Sequence, residues 1–396
     1  MKAGWQTKTI GDVCEVVNGG TPQTGTKEYW DGKLFWITPA EMGKRESPYV
    51  SKTERRLTEN GLKNSSAKLL PPKSVILSSR APIGHLVINT EPMATNQGCK
   101  GLIPRDGLHY KYLFYYLSST VDLLNDLGSG ATFKELSGGK LKEVAIPVAS
   151  LPEQHRIVKI LDNSFDGIAT AKSNAKKNLR NAKALFESHL ESVFSQRGEG
   201  WVDTTINQCI RFIDYRGKTP VKTESGVRLI TAKNVKMGYL QDSPMEFIAP
   251  ENYNGWMTRG IPRMGDVLFT TEAPLANVAQ LNTNEKVAFA QRVIIMQPDA
   301  SKLDSTFLKY LLLSQPAQQL IRAQGTGATV QGIKASLLKL IEISFPKSIT
   351  EQKQIVLKLD FLNEETQRLE SIYQQKLATL DDLKKSLLHQ AFSGAL

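Results

Sequence analysis

The feature that most constrains this chain of 396 residues is that its sequence is written twice. A duplicated sequence folds as two versions of one unit, so the repeat outranks any local pattern. GWQTKTIGDVCEVVNGGTP begins at Gly4, and GWVDTTINQCIRFIDYRGKTP begins at Gly200. Each has Gly-Trp, a Thr-Ile step, an apolar stretch and a Thr-Pro turn. WITPAEM at Trp36 then answers LITAKNV at Leu229, and LPPKSVILSSRAPIGHL answers GIPRMGDVLFTTEAPLANV. NQGCKGLIP answers AQRVIIMQP, YLFYYL at Tyr112 answers FLKYLLL at Phe307, and GSGATFKELS at Gly128 answers GTGATVQGIK at Gly325. Finally VAIPVASLPEQHRIVKILD answers EISFPKSITEQKQIVLKLD. Chance does not keep such an order. Turns and apolar positions match while the polar positions between them differ, so the copies can share a frame and carry different surface chemistry.

Each copy has two parts. In the first, SVILSS, VLFTT and RVIIMQP read as strands bounded by turn signals, and residues from about Tyr110 to Leu127 read as a helix. This predicts an α/β globule with a mostly irregular sheet. The second part is proline-free after Pro152. Ile157, Leu161, Phe165, Ile168, Ala171, Ala175, Leu179, Ala182, Phe186, Leu190 and Val193 recur every three or four residues. From Glu351 the series is Ile355, Leu359, Leu362, Thr366, Leu369, Tyr373, Leu377, Leu380, Leu383 and Leu387. That spacing suits a coiled coil, in helices of about 40 residues and roughly 60 Å. A narrow apolar seam needs a partner, and the two helices pairing with each other about a pseudo-two-fold axis supplies one. The expected class is α+β: two similar α/β domains, at 1–150 and 199–348, separated by long antiparallel coiled-coil helices at 151–198 and 349–396.

A formal charge of +11 suits a polyanion partner without requiring one. Apolar residues at 40% and charged residues at 22% fit a soluble, well-packed chain. Cys14, Cys99 and Cys209 are far apart, with no C-x-x-C pair, which argues against a disulfide framework or a zinc cluster. The start lacks an apolar signal core, and no apolar run reaches the ~18 residues of a membrane span. The expectation is a cytoplasmic protein with no membrane partner.

Motifs for chemistry are missing. GSGATFKELS looks at first like a phosphate loop, but Gly138-Gly139-Lys140 lacks both the earlier glycine and the following Ser or Thr of a Walker motif. No Asn-Pro-Pro-Tyr or Asp-Pro-Pro-Tyr of amino-methyltransferases occurs. Asp31-Gly32-Lys33 is the nearest nuclease-like fragment and lacks a partner acid. His85, His109, His155, His189 and His389 do not cluster in sequence.

The ordered set of motifs resembles the specificity subunits of type I restriction-modification systems, over essentially the whole chain. The most telling residues are the Gly-Trp openings at Gly4 and Gly200, the GSGAT and GTGAT segments, and the junctions from Pro147 to Ile157 and from Pro346 to Ile355, which share Glu-Gln before Ile. The resemblance implies two target-recognition domains, each reading half of a bipartite double-stranded DNA sequence. It implies spacer helices that fix the gap and dock two methyltransferase (modification) subunits, with restriction (motor and nuclease) subunits joining. The chain itself is then non-catalytic and holds no cofactor or metal; S-adenosylmethionine, ATP and Mg2+ belong to partner subunits. The alternative is a coiled-coil assembly scaffold that has lost sequence-specific DNA binding.

Reading DNA needs base-edge contacts, Arg or Lys for guanine and Asn or Gln for adenine. Candidates are Arg80, after a strand, and Gln97 and Lys100, before a strand, with Gln291 and Arg292 in the second copy. Glu272 takes the place of Arg80 there, which argues against a shared role. Thr132, Lys134, Thr329, Gln331 and Lys334 belong to or follow the glycine turns, which either brace the junction to the helix or hold a DNA phosphate. Arg216, Lys218 and Lys233 are further basic candidates. On the helices, Ile157, Leu161, Ile168, Leu179, Phe186, Ile355, Leu359, Leu369, Leu380 and Leu387 are the candidate partner-binding residues.

Overall fold

The computed structural model describes residues 2, 4–130, 134–215, 219–327 and 331–396. The candidates Thr132, Arg216, Lys218 and Thr329 lie outside the described residues. The chain divides into two compact units, Met1–Ala175 with Gln375–Leu396, and Lys176–Gln374. Each unit therefore holds one α/β domain and a part of both long helices.

The first unit contains β1 (Gln6–Thr9), β2 (Cys14–Asn18), β3 (Trp30–Ile37), β4 (Tyr49–Val50), β5 (Arg55–Leu57), β6 (Val75–Ser79), β7 (Ile83–Asn89), β8 (Met93–Thr95), β9 (Cys99–Pro104) and β10 (Ala145–Val148). They form a five-stranded sheet in the order β2-β9-β6-β7-β4, a three-stranded sheet β5-β3-β8, and the pair β1-β10. The second unit repeats this plan with β11 (Trp201–Thr205), β12 (Ile210–Asp214), β13 (Val227–Ile230), β14 (Glu246–Ile248), β15 (Val267–Thr270), β16 (Val278–Gln280), β17 (Val287–Phe289), β18 (Val293–Pro298) and β19 (Glu342–Pro346). Its sheets run β12-β18-β15-β16, β14-β13-β17 and β11-β19. Most of the pairing keeps a regular register, with shifts between Trp30 and Leu34 in β3 and between Leu77 and Ser79 in β6.

The central strands β6 and β15 explain the continuous apolar runs. Strand side chains alternate between faces, and both faces here are covered. Val75 and Leu77 enter one core with the helix Tyr110–Ser119, while Ile76 enters another with Ile37 and Met93. Val267 and Phe269 part from Leu268 in the same way. The Thr-Ile step is a helix start. Thr9 caps the turn Ile10–Val13 in a capping box with Asp12, and Ile10 and Ile206 are fully buried. Gly19 and Gly20 are needed because a Cβ there would lie 1.9 Å from the Asn96 carbonyl oxygen and 2.2 Å from the Ala67 nitrogen. The helix expected over 110–127 breaks at Thr120 into Tyr110–Ser119 and Val121–Leu127.

The long helices are Leu151–Ser195 and Ile349–Ser393, each 45 residues, or about 68 Å at 1.5 Å per residue. Within each unit they run antiparallel. In the first, Lys172 pairs with Asp381 and Arg156 donates to the Leu396 carbonyl. In the second, Lys183 meets Glu370 at 3.5 Å while Leu190 shares a core with Val356 and Leu359. Ala175 and Ala182, one heptad apart, are buried.

The Glu-Gln junction has a physical cause. Gln154 is fully buried; its Oε1 accepts from the His109 backbone N–H at 2.8 Å, and its Nε2 donates to the carbonyls of Gly107 and Ala149. Gln352 repeats all three bonds with Asp304, Lys302 and Pro346. One side chain thus fastens helix to domain in each unit. The bonds also correct the sequence match at the junction: Ala149, not Pro147, is the counterpart of Pro346. A second fastening is Tyr115 Oη donating to Asp162 at 2.5 Å, repeated by Tyr310 and Asp360 at 2.5 Å.

Candidate nucleic-acid interface

The edge of each α/β domain beyond the central strand is built on one hydrogen-bonded frame. In the first unit Ser79 N–H donates to Gly98 O, Leu136 N–H donates to Ser79 O, and Ser129 and Glu135 exchange both backbone bonds. In the second, Thr271 N–H donates to Arg292 O, Ile333 N–H donates to Thr271 O, and Thr326 and Gly332 exchange both. The pairs Ser129–Glu135 and Thr326–Gly332 thus each close a hairpin beside the end of the central strand, with Glu135 bridged to Arg80 and Gly332 to Glu272. In the first unit the helix Gly138–Glu143 and β10 follow in the chain before the long helix begins at Leu151.

On this frame the structure gathers several of the sequence candidates. Arg80, Gln97, Lys100 and Lys134 come from three separate stretches and meet at one edge. Gln97 is exposed in the turn before β9, and Lys134 is exposed on the hairpin loop. Arg80 and Lys100 share a carboxylate that sequence reasoning missed: Glu135, at 3.6 Å from Arg80 and 4.0 Å from Lys100. Lys100 does not precede the strand but lies within β9, with 8% of its side chain exposed. Burial holds its pKa below the usual lysine value, with Arg80 adding to the shift and Glu135 opposing it.

In the second unit the charges are rearranged. The frame places Gln291 opposite Gln97, Arg292 opposite Gly98, and fully buried Ile294 opposite Lys100. Lys100 and Arg292, both named as residues before a strand, thus hold different places on the frame. Arg292 Nε meets Glu272 Oε1 at 2.8 Å. Gln331 and Lys334 are exposed beside the hairpin, Lys334 at the start of the helix Ala335–Lys339. Lys233 is exposed on the turn after β13, and its neighbour Asn234 orders that turn. Asn234 is buried, accepts from Thr231 and donates to the Gln241 and Pro244 carbonyls. Glu41, its counterpart, is likewise buried and holds Arg45 at 2.6 Å. Neither was visible as an organiser in sequence.

The helix candidates have a different fate. Ile157, Leu161, Ile168 and Leu359 are buried, and Leu179, Phe186, Ile355, Leu369, Leu380 and Leu387 are half-buried. Packing within the units covers four of these residues fully and six in part. The apolar side chains that the helices leave exposed are others, notably Leu357 at 69% and Phe361 at 67%. Their counterparts in the first copy, counted from Gln154 and Gln352, are Lys159 and Asn163.

Among the described residues no His, Cys, Asp and Glu group is arranged to hold a metal ion. Asp31 sits in the bulged part of β3 with a positive φ of 59°. The three thiols are buried and unpaired; burial pushes Cys14 and Cys99 up to about 12 and Cys209 to about 11. His109 and His155, distant in sequence, come within 4.6 Å ring to ring. Burial, then His155, lowers the His109 pKa. No described helix is long and apolar enough to cross a membrane.

Fold and edge together define a duplicated protein: two like α/β domains joined to long antiparallel helices, each with a polar edge of its own charge pattern. The chain belongs to the family of type I restriction modification DNA specificity domains, whose model matches residues 2–180 and 257–378. It is 40% identical over 186 residues to the type I restriction enzyme MjaIX specificity subunit of Methanocaldococcus jannaschii, covering 46% of this chain and 43% of that protein. It is 32% identical over 171 residues to the EcoR124I/EcoR124II specificity subunit of Escherichia coli, covering 41% of each. These two alignments thus span less than half the length of either relative. The MjaVIII specificity subunit of M. jannaschii is 21% identical over 413 residues, 99% of this chain and 93% of that one. The fold matches that of the HsdS subunit from Thermoanaerobacter tengcongensis, with a TM-score of 0.63 at 17% identity over 100% and 98% of the two chains. It also matches a chain from work on complex assembly and conformational transition of the type I R-M system, with a TM-score of 0.80 at 18% identity over 100% and 99%.

Proposed function

We propose that the chain is the DNA sequence-specificity subunit of a type I restriction-modification complex. Each α/β domain, 1–150 and 199–348, reads one half of a bipartite duplex target. The helices 151–198 and 349–396 set the gap and dock two methyltransferase subunits. The chain works in the cytoplasm without a cofactor of its own, and S-adenosylmethionine, ATP and Mg2+ serve the modification and restriction subunits.

The observation that carries this reading is the edge frame. The same backbone bonds recur in both units, while the side chains they display differ in sign and position. A scaffold has no need to keep a frame and vary its display, whereas a two-part reader needs one mount and two readers. The net charge of +11 supports association with a phosphate backbone. Docking is better supported by exposed Leu357 and Phe361 than by the filled seam, since desolvated apolar anchors dominate interface energy.

The test is selection of duplexes with two randomised blocks by the full chain together with its methyltransferase subunit. Enrichment of one bipartite sequence with a fixed gap is expected. Affinity that never exceeds that for random duplex would overturn the reading in favour of a scaffold.

A further inference from the structure

The position that follows the central strand is Arg80 in the first unit and Glu272 in the second. The backbone around it is the same, for each residue bridges its own hairpin, and the residue before it accepts from Leu136 or Ile333 and donates to Gly98 or Arg292. In both units the side chain at this position is half-exposed and paired with an opposite charge. Arg80 is 35% exposed and lies 3.6 Å from Glu135; Glu272 is 43% exposed and lies 2.8 Å from Arg292. The replacements are coupled. Where the position is basic, the hairpin supplies the acid and the turn before β9 is Gly98. Where it is acidic, the turn before β18 supplies the base and the hairpin has Gly332.

A position that only braced the hairpin would gain nothing from reversing its sign. The backbone bonds do the bracing, and they do not change between the units. An ion pair at the surface contributes little to stability, but it fixes the orientation of a long side chain. Resting on the proposed DNA reading, we infer that Arg80 and Glu272 occupy one specificity-determining position, read with opposite polarity in the two half-sites. Arg80 donates to the O6 and N7 acceptors of a guanine. Glu272 accepts from the N4 amino group of a cytosine. Glu135 and Arg292 are positioning residues that hold those side chains before DNA arrives.

The test compares the selected duplex sequences of the full chain, with its methyltransferase subunit, for the wild type, Arg80→Gln and the paired exchange Glu272→Arg with Arg292→Glu. Arg80→Gln leaves the Lys100–Glu135 pair in place and the exchange keeps its own ion pair, so neither leaves a charge without a partner; melting temperatures check the fold. Arg80→Gln is expected to weaken the guanine preference at one base pair of one half-site by roughly 5- to 150-fold and to move it toward adenine. The exchange is expected to turn cytosine into guanine at one base pair of the other half-site. In each case the remaining positions stay as in the wild type. An unchanged consensus in variants that melt with the wild type would overturn the inference and leave the DNA reading standing. So would a uniform loss of affinity across sequences, which assigns these residues to the phosphate backbone. A wild type that selects no sequence at all would overturn the DNA reading, and the inference with it.

Discussion

Glu135→Gln should destabilise the first unit, by an amount that depends on pH. The carboxylate lies 4.0 Å from the Lys100 ammonium. At that distance a unit charge pair is worth about 4 kcal/mol at an effective dielectric near 20, and about 1 kcal/mol in water. Lys100 is buried but Glu135 is 43% exposed, so solvent screens the pair and the expected loss at pH 7 is about 1–2 kcal/mol. Arg80 loses the same partner, but its half-exposed guanidinium can be hydrated, so it adds little. Burial depresses the folded-state pKa of Lys100 below that of the unfolded chain. Between those two values the unfolded chain binds more protons, so stability rises with pH through that window. The cost of burying the ammonium is fully present below the folded-state pKa and fades as the pH approaches the ordinary lysine range. The deficit of Glu135→Gln should therefore be largest at pH 7 and smaller at pH 10. Urea unfolding of both proteins at each pH measures it. Adding Lys100→Ile, the residue the second unit uses at Ile294, should recover most of the loss at pH 7. An equal deficit at both pH values, or no recovery with Lys100→Ile, would refute the account.

The junction, the helix surface and the ruler give three further expectations. Gln154→Ala or Gln352→Ala removes three buried bonds and strands a backbone N–H and two carbonyls, so urea unfolding should show a loss of about 2–4 kcal/mol in either variant. Leu357→Glu with Phe361→Glu alters side chains that are two-thirds exposed. It should leave stability within about 0.5 kcal/mol yet abolish co-purification of one methyltransferase subunit; undiminished loading would rule out this docking face. Inserting one heptad in both long helices adds about 10.5 Å, so the gap between selected half-sites should lengthen by about three base pairs at 3.4 Å each. An unchanged gap would sink the ruler.

The sequence made the large features legible because they rest on periodicity and repetition. Both long helices follow from apolar residues at three- and four-residue intervals, and their antiparallel course inside each unit matches the expectation. The strands VILSS and VLFTT were legible because central strands covered on both faces are continuously apolar. The edge was only partly legible. Arg80, Gln97 and Lys134 could be named for their chemistry, but nothing local in the sequence joins Glu135 to Lys100 across 35 positions, or reveals that Lys100 is buried. Periodicity did separate the filled seam from the exposed face: the series runs through Leu359, which is fully buried, and omits Leu357 two residues away, which is 69% exposed. It gave no role to the apolar side chains it left outside the seam.

Because the gene is duplicated, the second unit acts as a control for the first. Gln154 and Gln352 make the same three bonds, so the helix is attached in the same way in both units. Lys100 and Glu135 disappear together, as Ile294 and Gly332, which is how a buried charge and its counter-charge must be exchanged if neither is to be stranded. Arg80 changes sign only where a new opposite charge, Arg292, appears beside it. The segment GSGATFKELS has the glycines and the lysine of a nucleotide-binding site. Its twin places it at a mount that supplies an acid in one unit and a glycine in the other. The same mount with two charge patterns is what the proposed reading asks of one fold that serves two unlike half-sites without a change of backbone.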